Sequence, residues 1–291
     1  MKALARSLAA GLLAVLAVLG PQPASAAQPS PAISAPLVPA AAGTIVVRAY
    51  FFLGDRAGGD PSLVPVLRTE PRDSAVARAA MRVLLAGPSV SERAASPRIA
   101  TAIPAGTRLL GVRISGSIAT VNLSPSFASG GGSFSVRGRL AQVVYTLTQF
   151  PTVTSVRFQL NGAPVTVFSG EGVVLTGPVG RLAFRADFLA PIFVDRPAYG
   201  AAIGNPARMT GLANMFEAQF RVAILDRRGH VLVDTAVKAS CGTGCWGSFA
   251  VTLSYRVSAA QWGSLKVWDN STKDGRPEHV RIYPVWLAPG V

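Results

Sequence analysis

Histidine, cysteine and lysine are nearly missing from this chain. Of 291 residues, two are histidine, two are cysteine and four are lysine (Lys2, Lys238, Lys266 and Lys273). Residues 45–180 contain no histidine, which removes the usual base of nucleophilic catalysis from that half. Two thiols alone make half of a structural zinc site. Acids are scarce as well, 14 against 28 basic residues, for a net charge of +14. The carboxylates of the first half, Asp55, Asp60, Glu70, Asp73, Glu92 and Glu171, are scattered, without the pairing that glycoside hydrolysis needs. No apolar run is long enough to span a bilayer of roughly 30 Å.

What is present is apolar and organised. Hydrophobic residues make up 49% of the chain, enough for well-formed cores and far from the composition of disorder. The length favours two domains. Lys2 and Arg6 precede an apolar run from Leu8 to Leu19, and Ala24-Ser25-Ala26 offers small residues for cleavage. This is the layout of a secretory signal peptide over residues 1–26, removed after Ala26. Cleavage takes away Lys2 and Arg6, lowering +14 to +12. Outside the cytoplasm such a charge favours anionic envelope polymers and lipid head groups over nucleic acid. No cysteine lies near the cleavage site to accept a lipid anchor. Residues 27–43 are an uncharged leader rich in Ala and Pro, expected to be flexible.

The stretch from Arg139 to Val165 organises the rest. Leu140, Val143, Val144 and Leu147 fall at helical spacing, which places Arg139, Gln142, Thr146 and Gln149 on the opposite, polar face. Phe150-Pro151 ends the helix, because the residue before proline leaves helical dihedrals. Val156, Phe158 and Leu160 then alternate with Arg157 and Gln159 as in a half-buried strand. Asn161-Gly162 suits a two-residue hairpin turn.

Around it, Ile45–Leu53 and Leu63–Arg68 read as strands. Asp73 or Ser74 caps a helix that Gly87-Pro88 stops. Arg108–Ile114 and Ile118–Leu123 form a hairpin around Ser115-Gly116-Ser117. The order is ββα-ββα-ββ over residues 44–176, an α+β layer with two helices on one sheet face. Gly177–Asp187 reads as a connector. Residues 188–288 then carry seven short β-rich runs divided by turns, an antiparallel sandwich of immunoglobulin type.

Several segments together resemble known families. LVPVLR (63–68), LLAGP (84–88), TAIPAGTRLLGV (101–112), LSPSFASGGGS (123–133), RLAQVVYTLTQFPTV (139–153) and FSGEG (168–172) resemble the GerMN domain. IFVDRPAYGAAIGNPARMTGLANMFEA (192–218), CGTGCWGSF (241–249) and YPVWL (283–287) resemble the immunoglobulin-like domain of bacterial spore germination. The resemblance implies a GerMN-like α+β domain followed by an immunoglobulin-like module. It brings no accepted catalytic constellation and no cofactor. Relatives of this arrangement are often lipoproteins, and this chain departs from them in lacking the lipid-accepting cysteine. The GerMN domain is also similar to ring-building modules of sporulation complexes, which implies homotypic or envelope-complex contacts.

Five local features are weighed as candidate sites. Cys241-Gly-Thr-Gly-Cys245 is expected to close as a disulfide, since a secreted chain pairs its cysteines. A flat strand would hold the two residues roughly 13 Å apart, and Gly242 and Gly244 permit the turn that closes the gap. Gly130, Gly131, Gly132 and Ser133, followed by Arg137 and Arg139, offer backbone N–H groups and arginines to an anion at a helix start. They lack the lysine and spacing of a P-loop. Arg48, Arg78, Arg82, Arg93 and Arg98 are expected to form an exposed basic face. His230 and His279 lack a partner at metal spacing and read as solvated. Phe168–Gly172 holds a serine and a carboxylate but no histidine base, and reads as a turn.

These features point to a non-catalytic binding or assembly protein of the cell envelope, tied to sporulation, germination or wall processes. Its partner would be an envelope protein, an anionic wall polymer or a membrane surface. A wall-active enzyme would instead require acids or a serine converging in a pocket. A small-ligand binder would require a deep apolar pocket between the domains.

Overall fold

The computed structural model describes residues 43–54, 61–72 and 75–289. The expected signal peptide with its cleavage after Ala26, and the leader up to residue 42, lie outside the described residues. So do Asp73 and Ser74, the expected helix cap. Among the described residues no helix is long and apolar enough to cross a membrane.

The first domain begins with β1 (Thr44–Leu53) and β2 (Ser62–Pro71), paired antiparallel over their full length. Helix α1 (Val76–Ala86) follows and ends at Gly87, whose φ of +77° suits glycine. A single turn, α2 (Val90–Ala94), starts on a capping box of Ser89 and Glu92. β3 (Ile99–Ala100), β4 (Leu109–Ser115) and β5 (Ile118–Leu123) lead into α3 (Ser133–Leu147) and β6 (Ser155–Leu160). β4 and β5 turn at Gly116-Ser117. After β6, Asn161 (φ +48°) and Gly162 (φ +85°) form the expected two-residue turn into β7 (Ala163–Pro164). The short β8 (Val167–Phe168) and β9 (Val173–Val174) close the unit.

Hydrogen bonding divides β1–β7 into two sheets rather than the single expected one, with β8 and β9 paired apart as a two-stranded ribbon. One has the order β2-β1-β3, the other β4-β5-β6-β7. β5 and β6 pair in parallel, with α3 as their crossover. The physical reason for the division lies in α3. Its supposed outer face is buried: Arg139, Gln142 and Thr146 are each 1% exposed or less.

These side chains complete the edge of β1. The strand meets β3 only at Phe52 and Leu53, which leaves the groups of Arg48 and Tyr50 without a neighbouring strand. Arg48 N–H donates to Gln149 Oε1 (2.9 Å), and Gln149 Nε2 donates back to Arg48 O (2.6 Å). Tyr50 N–H donates to Thr146 Oγ1 (3.1 Å), and Gln142 Nε2 donates to Tyr50 O (2.9 Å). Gln142 Oε1 also accepts from Ala102 N–H (2.8 Å). Positions 142, 146 and 149 share one helix face, so a row of side chains stands where a strand would pair. The correction to the sequence reading is that this polar face meets backbone, not water.

The expected connector over 177–187 is part of the packed structure. It contains α4 (Leu182–Phe188), whose Phe184 and Phe188 are buried. Arg181 lies over Tyr145, 4.7 Å from the ring centre, and its Nε donates to Thr148 Oγ1 (2.8 Å).

The second domain contains all seven expected runs as strands. β10 (Ile192–Arg196), β12 (Ala207–Ala213) and β15 (Gly247–Leu253) form one sheet. The short β11 (Ala202–Ile203) joins β13 (Gln219–Leu225), β14 (Val231–Lys238), β16 (Gln261–Asn270) and β17 (Pro277–Leu287) in the other, ordered β11-β17-β16-β13-β14. Phe220, Val222 and Ile224 face inward as their alternation requires, and Phe220 packs on Phe249 between the sheets, 4.9 Å between ring centres.

The two domains are joined by polar contacts around buried tyrosines. Tyr50 Oη donates to Asp195 Oδ1 (2.7 Å), and Arg48 pairs with the other oxygen of that carboxylate (3.1 Å). Tyr199 N–H donates to Pro65 O (2.9 Å) and its hydroxyl to Pro97 O (3.3 Å). Burial pushes the Tyr50 and Tyr145 phenols up, and those of Tyr199 and Tyr283 to about 12.

This packing makes three predictions. Replacing Gln142 with Leu leaves buried backbone groups at Tyr50 and Ala102 unpaired. At about 1–3 kcal/mol for each of these two groups, the urea midpoint should fall by the equivalent of about 2–6 kcal/mol. Arg137→Gln, which breaks a surface pair with Asp187 and a long, exposed hydrogen bond to Ala183 O, should cost less than about 1 kcal/mol. The tyrosines set the alkaline limit. A phenol raised above its unfolded value of about 10 stabilises the fold fully below that pH, and this contribution is lost as pH rises through the folded value. The melting temperature should therefore fall between about pH 10 and about pH 12, with tyrosinate absorbance appearing as the fold is lost. Full tyrosinate formation near pH 10 in an intact fold would contradict it.

Candidate functional site

Carbonyls of the glycine-rich loop before α3, and of the turn that precedes it, converge on Arg139. The guanidinium donates to Phe127 O, Ser129 O and Gly130 O at 2.7–2.8 Å, and to Ser135 O and Oγ at 3.0–3.2 Å. Burial pushes its pKa down. Gly131 must be glycine: its φ is +88°, and a Cβ there would stand 2.7 Å from Arg139 Nη2. Gly130 is also left-handed, at φ +57°, and Gly132 precedes the first turn of α3. Ser133 Oγ donates to Glu171 Oε2 (2.8 Å), and Arg137 pairs with Asp187 (2.5 Å). The six residues share one neighbourhood, but Ser133, Arg137 and Arg139 direct their polar groups to protein partners.

Cys241 and Cys245 are joined by a disulfide with Cα atoms 5.8 Å apart. The loop is seated on the turn before β13. Thr243 N–H donates to Met215 O (2.8 Å), Glu217 N–H to Thr243 Oγ1 (2.9 Å), and Gly244 N–H to Asn214 Oδ1 (3.1 Å). A Cβ at Gly242 would lie 2.3 Å from the Ala218 backbone nitrogen, so close approach as well as turning requires glycine there.

The five arginines expected on one basic face are dispersed. Arg48 is half-buried against Asp195. Arg93, which donates to Pro88 O, lines with Arg98 a depression of about 550 Å³ beside Leu85, Ile103 and Pro104. Arg78 and Arg82 lie on the outer side of α1.

The histidines have carboxylate partners in space. His230 Nδ1 lies 3.1 Å from Asp226 and His279 Nδ1 2.8 Å from Asp269. The ring-bearing side chains remain 70% and 45% exposed. Asp269 and Glu278 are opposed on β16 and β17, and their donor atoms lie with that of His279 within 4.8 Å of one another. Cross-strand pairing across a long hairpin creates this group, and no sequence spacing announces it. Ser169 sits in the expected turn with φ +60° and accepts from Glu171 N–H.

A cluster of positive charge lies on the outer face of β4, β5 and β6. Ala119, Val121 and Leu123 of β5, with Val156 and Phe158 of β6, point into the core. Alternation puts Thr120, Asn122, Arg157 and Gln159 outside. Register sets Arg113, Thr120 and Arg157 in one cross-strand row, and Gly111, Asn122 and Gln159 in the next. Arg78 reaches the same depression of about 440 Å³ from α1. None of the described residues lining it is acidic. Asn122 Oδ1 accepts from Gly162 N–H (2.9 Å), which orients its amide N–H₂ as the remaining group. The face is therefore rich in donors and positive charge. The sequence reading noted Arg157 as outward-facing and missed its row, because the parallel pairing that makes it spans the whole α3 crossover.

Comparison with known proteins agrees with the architecture. Residues 48–166 match the model of the Germane family, described as sporulation and spore germination. Residues 191–276 match Gmad2, the immunoglobulin-like domain of bacterial spore germination. No curated protein matches the chain. Among solved structures, the tandem GerMN domains of the sporulation protein GerM from Bacillus subtilis are 15% identical, with 72% of this chain and 61% of that one covered and a TM-score of 0.40. The first GerMN domain of the same protein is 20% identical, with 47% and 98% covered and a TM-score of 0.36. A Clostridium perfringens protein assigned as a lipoprotein is 21% identical, with 50% and 93% covered and a TM-score of 0.34. The chain thus carries, in order, a region matching the Germane family of sporulation and spore germination and a region matching the Gmad2 immunoglobulin-like domain of bacterial spore germination.

Proposed function

We propose that this chain is an extracytoplasmic, non-catalytic binding and assembly protein of the bacterial cell envelope, drawn to its partner by positive charge. The observation that carries the reading is the depression holding Arg78, Arg113 and Arg157 with no acid among its described lining residues. The two domain families, one of sporulation and spore germination and the other of spore germination, support a place in envelope processes of that kind. The disulfide between Cys241 and Cys245 supports an oxidising compartment outside the cytoplasm. An uncompensated charge of this size concentrates a polyanion near the surface, and the attraction weakens as salt shortens its range.

The experiment is a pull-down of residues 27–291 with purified wall sacculi across a salt series. Retention at low salt, released as ionic strength rises, is the expected result. A chain that stays in solution at low salt overturns the electrostatic reading and leaves an envelope protein as the partner to seek.

A further inference from the structure

We infer that the Arg113–Thr120–Arg157 row is a phosphate subsite, built to hold a phosphodiester group of a polyol-phosphate chain lying across the β4-β5-β6 face. The inference rests on the envelope-binding reading and names the chemistry at its site. Neighbouring strands stand about 4.8 Å apart, so the two arginines flank Thr120 from backbones roughly 10 Å apart. Both side chains line the depression with the threonine hydroxyl between them. Donors thus approach from two sides and from below. A planar carboxylate offers its two oxygens in one plane, which suits a single guanidinium fork. A phosphodiester also carries two charged oxygens, but they sit on a tetrahedral centre with lone pairs directed to several sides, and between them they can accept from two guanidinium groups and a hydroxyl.

The surroundings fit a polymer. The amide of Asn122 and the side chain of Gln159 lie one row along, and Arg78 stands at the margin on α1. These would meet the hydroxyls and the next charge of a repeating chain. Among the described residues none of the three arginines has an ion pair, so binding need not break one.

The test uses soluble poly(glycerol phosphate) as the probe, with poly-glutamate and duplex DNA as competitors matched in charge. R113Q/R157Q is compared with a charge-matched control on the second domain, R228Q/R276Q, after both are shown to melt with the unchanged chain. The expected result is that R113Q/R157Q loses most of the affinity for poly(glycerol phosphate). The slope of log affinity against log salt should drop by about one, because the two arginines share a single phosphodiester charge, while the control keeps its affinity and its slope. Thr120→Val should weaken binding with the salt slope unchanged. Equal weakening by both double variants overturns the subsite, and continued salt-sensitive retention on sacculi would then leave the broader reading standing. Equal or tighter binding of poly-glutamate overturns the choice of phosphate. Preference for duplex DNA overturns the choice of polymer.

Discussion

Backbone groups buried without partners are among the costliest errors a fold can make, and β1 comes close to making one. On one side it is paired along its whole length with β2. On the other, β3 reaches only Phe52 and Leu53, and the remaining edge faces a helix. Gln142, Thr146 and Gln149 turn that edge into a paired one by supplying side-chain acceptors and donors at the spacing of alternate strand residues. Much of the first domain follows. The helix must lie with its polar row against β1, so its apolar residues serve the second sheet, and Arg139 at the start of the row is forced inward. The glycine-rich loop then folds around that guanidinium because carbonyl oxygens are the groups in reach.

The same constraint frees a surface. With α3 covering the inner faces, the outer face of β4, β5 and β6 is left to solvent. Parallel pairing of β5 with β6 across the helix brings Arg157 into register with Thr120 and Arg113. On the opposite side, Tyr50 emerges from β1 to meet Asp195 of the second domain, with Arg48 beside it. One strand therefore takes part in the helix pairing and the domain contact, while the basic face lies on a different sheet.

Element types were largely legible in the sequence, because periodicity reports them directly. The organising helix, the strand after it, the Asn161-Gly162 turn and the seven β runs of the second domain all appear where spacing puts them. The destination of polar residues was not legible. Gln142 and Thr146 carry the pattern of a wetted face, and nothing local distinguishes a glutamine that bonds water from one that bonds a strand. Arg48 reads as exposed for the same reason, since Asp195 lies far along the chain. Gly177–Asp187 reads as a connector because its helix is too short to show a period. The row of Arg113 and Arg157, and the meeting of His279 with Asp269 and Glu278, depend on register between strands that sequence spacing does not specify. The signal segment and its cleavage after Ala26 belong to residues that the structure does not describe.

Amide hydrogen exchange at Arg48 and Tyr50 tests the account most directly. If the side chains of Gln149 and Thr146 act as a strand edge, these two amides should exchange only with global opening of the domain, as slowly as those β1 amides that bond to β2. Exchange at Arg48 and Tyr50 much faster than along the β2 side would mean that the helix packs beside β1 without completing it, and the explanation for the buried polar row would fall.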